Sequence, residues 1–146
     1  MKKKVFRFEV LLIIVVLGIL FFITYKQFAL AQAKSRDLQR RSDLSEFSKV
    51  IRLYFIDYGK LPDSKLINSL WGKSFVDDGY VYTTSVPKEK YGNKEYCYAV
   101  NSDEVSFKMF AEFENKNDPD CKNDGGLCNG IKYCYTNVVN AIKTTE

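Results

Sequence analysis

The chain has 146 residues, 46% of them hydrophobic, with 22 Lys/Arg against 18 Asp/Glu and no histidine. That length suits one modest domain plus a further segment. Without a histidine base, a glycine-rich phosphate loop or an activated nucleophile, the composition argues against an enzyme. Nine Lys/Arg and two acids fall in residues 1–41, so the remainder is net acidic and gives no strong nucleic-acid signal.

The chain opens MKKK, residues 1–4, and continues VFRFEVLLIIVVLGILFFI from Val5 to Ile23, with Glu9 as the single acid. Val10 to Ile23 is an unbroken apolar run. Val5 to Tyr25 as a helix is about 31 Å long at 1.5 Å per residue, enough to span a bilayer. The run ends in FFITYKQF rather than a small-x-small cleavage site, so it reads as a retained transmembrane helix, not a signal peptide. A carboxylate at that depth is costly unless it is paired, protonated or near an interface. Glu9 therefore stands out as a candidate functional residue.

The helical pattern continues past the membrane. No Pro or Gly interrupts residues 26–58, and Leu44, Phe47, Ile51, Tyr54 and Tyr58 recur at intervals of three and four as one apolar stripe. Arg40, Asp43, Glu46, Lys49 and Arg52 are assigned to the other faces. Gly59 and Pro62 mark the stop. A break near Lys26, giving two helices, is the competing reading. Lys34, Arg36, Arg40 and Arg41 form a basic cluster suited to lipid headgroups or to ion pairs between copies.

Beyond Pro62, DSKLINSLWGKSFVDDGY reads as a connecting region with one short helix, and Trp71 as a core or interface anchor. YVYTTSV, KEYCYAV, SFKMFAEFE and IKYCYTNV are aromatic or β-branched runs divided by turn-rich segments, the signature of short strands. The pair around NSDE forms an antiparallel hairpin. In NKNDPDCKNDGG, the oxygen-rich side chains Asn115, Asn117, Asp118, Asp120, Asn123 and Asp124 make weak calcium candidates, Asp118, Asp120 and Asp124 foremost. A polar turn closed by a disulfide is the competing and preferred reading, and no cofactor is expected.

Cys97, Cys121, Cys128 and Cys134 lack CxxC spacing and have no histidine to join them, which favours disulfides over zinc. Disulfides belong to an oxidising compartment. Basic residues flank both ends of the apolar run, so the cysteines decide the orientation, with the C-terminal head outside. Three pairings are open; Cys121 with Cys128 and Cys97 with Cys134 is the one taken forward, the latter on the premise that the last strand lies beside the first.

Glu9 placed nine residues before Gly18, within VFRFEVLLIIVVLGIL, together with QF at Gln27–Phe28 and the helix running to YGKLP, resembles the N-terminal signal of type IV pilins and type II secretion pseudopilins. The resemblance covers about Val5 to Pro62. It implies cleavage between Lys4 and Val5 by a prepilin peptidase, methylation of the new amine, and assembly into a filament in which Glu9 neutralises that amine on a neighbouring copy. Some pseudopilins hold calcium in a comparable C-terminal loop. Three positions depart from the family pattern: Lys4 where Gly is the rule, Arg7 between Val5 and Glu9, and Lys26 where many pilins carry a kinking Pro.

The expected architecture is α+β and pilin-like: a leader at 1–4, a transmembrane helix at 5–25, its continuation at 26–58 packed on the head, and a small antiparallel sheet head at 59–146. The expected function is a structural subunit of a pilus-like or pseudopilus filament. Its partners would be further copies, the peptidase, an inner-membrane assembly platform and, before assembly, the bilayer. The expected location is the bacterial inner membrane. The alternative is a monomeric, membrane-anchored binding protein that is never processed.

Overall fold

A computed structural model describes residues 2–123 and 126–142, except for the side chains of residues 2–8, 26, 122 and 123. The chain divides into two compact units, one ending at Ser35 and the other beginning at Arg36. Helix α1, Lys2–Tyr58, is uninterrupted at Lys26, so the two-helix reading does not hold. Gly59 ends it: with φ at +67° it takes the left-handed turn that glycine adopts freely, and its N–H reaches back to Phe55 O at 2.8 Å.

Within the first unit, Val10 to Ile23 is exposed along its whole length, from 40% at Val10 to 73% at Phe21. The helix contains a stretch long and apolar enough to cross a membrane, with a mean hydropathy of 2.3.

The second unit is a small α+β head. After the short helix α2, Ser64–Asn68, come strands β1 (Phe75–Asp77), β2 (Tyr80–Thr83), β3 (Cys97–Val100) and β4 (Ser106–Ala111). Helix α3, Pro119–Asn123, precedes β5 (Gly126–Cys128), β6 (Ile131–Tyr133) and β7 (Tyr135–Asn140). All pairing is antiparallel: a hairpin β1–β2, a three-stranded sheet in the order β3–β4–β7, and a hairpin β5–β6. The expected hairpin around NSDE is β3–β4.

The period-two alternation of the sheet divides its side chains between two cores. Tyr98, Phe107, Met109, Ala111 and Val139 pack with Leu44, Phe47, Ile51 and Tyr54 of α1 and with Trp71 and Phe75. The predicted stripe on α1 is therefore the helix's contribution to the main core, and Trp71 is the anchor expected of it, edge-on to Phe47 and Tyr96. Cys97 and Phe110 form the second core with Cys128 and Tyr133 of the β5–β6 hairpin.

Several expected boundaries shift. The segment FVDDGYVYT, partly read as connection, folds into a hairpin whose turn residues Asp78 and Gly79 both have positive φ. IKYCYTNV divides at Cys134 into β6 and β7.

The disulfides join Cys97 to Cys128 and Cys121 to Cys134, with Cα atoms 6.3 and 4.5 Å apart. The expected pairing is wrong because β4 lies between β3 and β7. Two strand spacings of about 4.8 Å put Cys97 too far from the start of β7 to bridge. Cys97 instead faces the second core, where the β5–β6 hairpin brings Cys128. Cys134 packs with the main core, and Cys121 of α3 lies against it.

Candidate functional site

Two groups of residues are candidates: the N-terminal part of α1, and a charged cluster where α1 meets the loops of the head.

In α1, Lys4 and Val5 lie on the helical backbone, but their side chains and that of Arg7 are outside the described residues. Glu9 is exposed. Gly18 is exposed too, and a methyl group there would meet nothing within 4 Å. A mid-helix glycine costs roughly 0.5–1 kcal/mol relative to alanine, and among the described residues no contact requires it.

The second group centres on Arg40. The stripe of α1, followed backwards from Leu44 at the same three-and-four spacing, runs through Arg40 and Asp37, and both are buried, at 1% and 3% exposure. This corrects the assignment of Arg40 to an outer face. Its guanidinium donates from Nη1 to Asp37 Oδ1 at 2.7 Å, from Nε and Nη2 to the two oxygens of Glu89 at 2.7 and 3.0 Å, and from Nη2 to Glu114 Oε1 at 2.9 Å.

The acids are bound in turn. Asp37 accepts the backbone N–H groups of Glu114 and Asn115, both at 2.9 Å. Glu89 accepts those of Tyr91 and Gly92. Arg36 forks onto Glu114. Burial works against the charge on Arg40, but the hydrogen bonds it donates to Glu89 and Glu114 outweigh it and raise its pKa. The Arg36 hydrogen bond, helped by Arg40, holds the Glu114 carboxyl down at about 2. The whole cluster is thus a clamp joining α1 to the 89–92 and 114–115 loops.

Arg41 adds a neighbouring clamp, donating to Asp118 and Asp120 at 3.5 and 2.5 Å and lying over the Phe113 and Tyr135 rings. Of the expected basic cluster, Arg36, Arg40 and Arg41 therefore bind acids of their own chain. Asp118 and Asp120, the calcium candidates, share a guanidinium here, and Asp124 lies outside the described residues. The four cysteines are brought together in two pairs, not in one site.

An open groove of about 710 Å³ is lined by Tyr54, Leu61, Asp63, Val100, Asp103 and Glu104, among others. Two of its carboxylates are already engaged: Asp63 caps α2 through Lys65 N–H at 2.7 Å, and Asp103 binds the hydroxyl and N–H of Ser106.

No protein-family model, curated protein or solved structure matches the chain.

Proposed function

We propose that this protein is a membrane-anchored structural subunit that assembles through α1 into a pilus-like or pseudopilus filament. The observation that carries the proposal is an apolar run, Val10 to Ile23, left unburied by its own chain, with Glu9 at its start and Gly18 within it. Such a surface needs a bilayer or other helices to cover it. A glycine without a use inside the monomer fits close approach by a neighbouring helix, where small residues let backbones draw together.

In this reading Glu9 pairs with the amine of Val5 on the adjacent copy. In a medium of low dielectric the pair selects register more than it adds net stability. The disulfide-stapled head faces an oxidising compartment and forms the filament's surface.

Co-expression with a prepilin peptidase tests the reading by mass: the mature chain should lose residues 1–4. Glu9→Ala should then abolish filaments seen by electron microscopy while the protein still inserts in the membrane. Lys4, standing where the family carries glycine, favours the second reading of an unprocessed anchored monomer. An intact Met1 on the mature surface protein, with no filaments, would establish that reading instead.

A further inference from the structure

The two edges of the β3–β4–β7 sheet are treated differently. Antiparallel strands turn alternate residues' N–H and C=O groups toward and away from a neighbour. On β3 the outward groups are covered: Tyr98 N–H donates to Asn68 Oδ1 and Tyr98 O accepts from Asn68 Nδ2, both at 2.8 Å, while Val100 N–H donates to Ser64 Oγ at 3.2 Å. Helix α2 thus supplies a substitute strand made of side chains.

On β7 the alternation is set by Ala141, whose N–H donates to Val105 O at 2.9 Å. Counting back by twos, Val139 and Asn137 face β4, and Thr136 and Val138 turn their backbone groups away. Among the described residues none bonds to those outward groups. Val138 is 62% exposed, on the strand's outer face.

Natural sheets blunt an open edge with lysine, proline, a bulge or a very short strand. β7 has none of these: it is six residues long, YTNVVN, uncharged and in unbroken register with β4. β1, β5 and β6, by contrast, have three residues each.

We infer that the β7 edge is a pairing surface for the β7 edge of a second copy, the two strands running antiparallel about a two-fold axis at Val138. An uncharged strand meets itself without like-charge repulsion. The axis sets Val138 opposite Val138, where the two residues exchange their outward backbone hydrogen bonds and the exposed isopropyl groups cover each other. The resulting contact is isologous, joining heads in pairs whether or not α1 polymerises. In a filament it would link neighbouring filaments laterally.

The test uses the full chain in detergent micelles. Directly opposed residues have Cβ atoms about 4.5–5.5 Å apart, close enough for an engineered Val138→Cys to cross-link on mild oxidation. The expected product is a dimer whose peptide map shows a 138-to-138 bond. Lys108→Cys, on the same face of the central strand, should give at least tenfold less. Val138→Pro removes the donor and Val138→Lys adds edge charge; each should weaken association of the otherwise unmodified chain at least tenfold in sedimentation, with Trp71 emission confirming a folded head.

Equal cross-linking at 108 and 138, a monomer at every concentration, or capture of a different protein's extended segment at position 138 overturns the inference. Glu9→Ala should leave the 138-to-138 cross-link intact, so failure of the filament reading and failure of this one are separable.

Discussion

Arg40 has its charge almost wholly withdrawn from water and is surrounded by Asp37, Glu89 and Glu114. Taking such ions out of water is expensive, so the cluster's net worth is small, but breaking it from one side is not. Arg40→Met should cost about 3–5 kcal/mol because it strands buried carboxylates, whereas Arg36→Ala, at a solvent-screened pair, should cost far less. Urea unfolding of the full chain, followed by the emission of the single tryptophan, measures both. The pH dependence has a definite sign. The Glu114 carboxyl falls from 4.5 to about 2 on folding, chiefly through Arg36. A lowered carboxylate contributes stability that is fully present above its unfolded pKa and is lost as pH falls through the folded one. The stability gap between wild type and Glu114→Gln should therefore be constant above about pH 5 and close between 4.5 and 2. A gap that persisted at pH 2 would remove Glu114 from the clamp. Arg40 was legible in part: it continues the stripe of Leu44, Phe47, Ile51 and Tyr54, but an arginine on a buried face reads as a surface residue until its partners are known. Those partners, 49 and 74 residues away, leave no local signal.

Among the elements, the small sheets depend on contacts that a propensity reading does not contain. The Asn68 amide makes two of the three bonds that cover the β3 edge, so Asn68→Ala should leave the part-buried backbone groups of Tyr98 unmet, a loss of about 1–3 kcal/mol. Asn68→Asp keeps the acceptor for Tyr98 N–H and should lose less; equal losses for both variants would point to α2 itself. The β5–β6 hairpin lies against the outer face of the sheet so closely that a methyl group on Gly126 would sit 2.7 Å from the Phe110 ring and 3.0 Å from Thr136 Oγ1. Gly126→Ala should destabilise by about 1–3 kcal/mol, the range for overpacking, as thermal melts can read. Here the limits of sequence are physical. Asn129 and Gly130, both at positive φ, close a hairpin that the sequence reading did not separate from its loop, and nothing in its own residues says which face of which sheet it will cover. Without that placement the disulfides cannot be paired, and Cys97 with Cys128 emerges only once the hairpin is seen over Phe110. Non-reducing peptide mapping should recover Cys97–Cys128 and Cys121–Cys134.

Over the whole molecule, the long helix and the α+β class were legible because their signals are local and repeated: fourteen apolar residues in succession, a stripe at three-and-four spacing, a glycine where the helix stops. The head's core is complete from Leu44 onward, closed by Trp71, Phe75 and the sheet. The run Val10 to Ile23 is at least 40% exposed at each of its large side chains. A charge placed in the middle of the run should therefore act on membrane residence alone. Leu17→Arg adds a penalty of about 2.5–3.5 kcal/mol at the helix centre on the insertion scale, on the order of a hundredfold in partitioning. It should move the protein from the carbonate-resistant membrane fraction toward the supernatant, while the urea midpoint read by Trp71 stays where it was. If Leu17→Arg remains in the membrane pellet as fully as wild type, the run does not span the bilayer. If the midpoint falls with it, the head draws stability from the very surface that the filament reading reserves for neighbouring copies, and that reading fails.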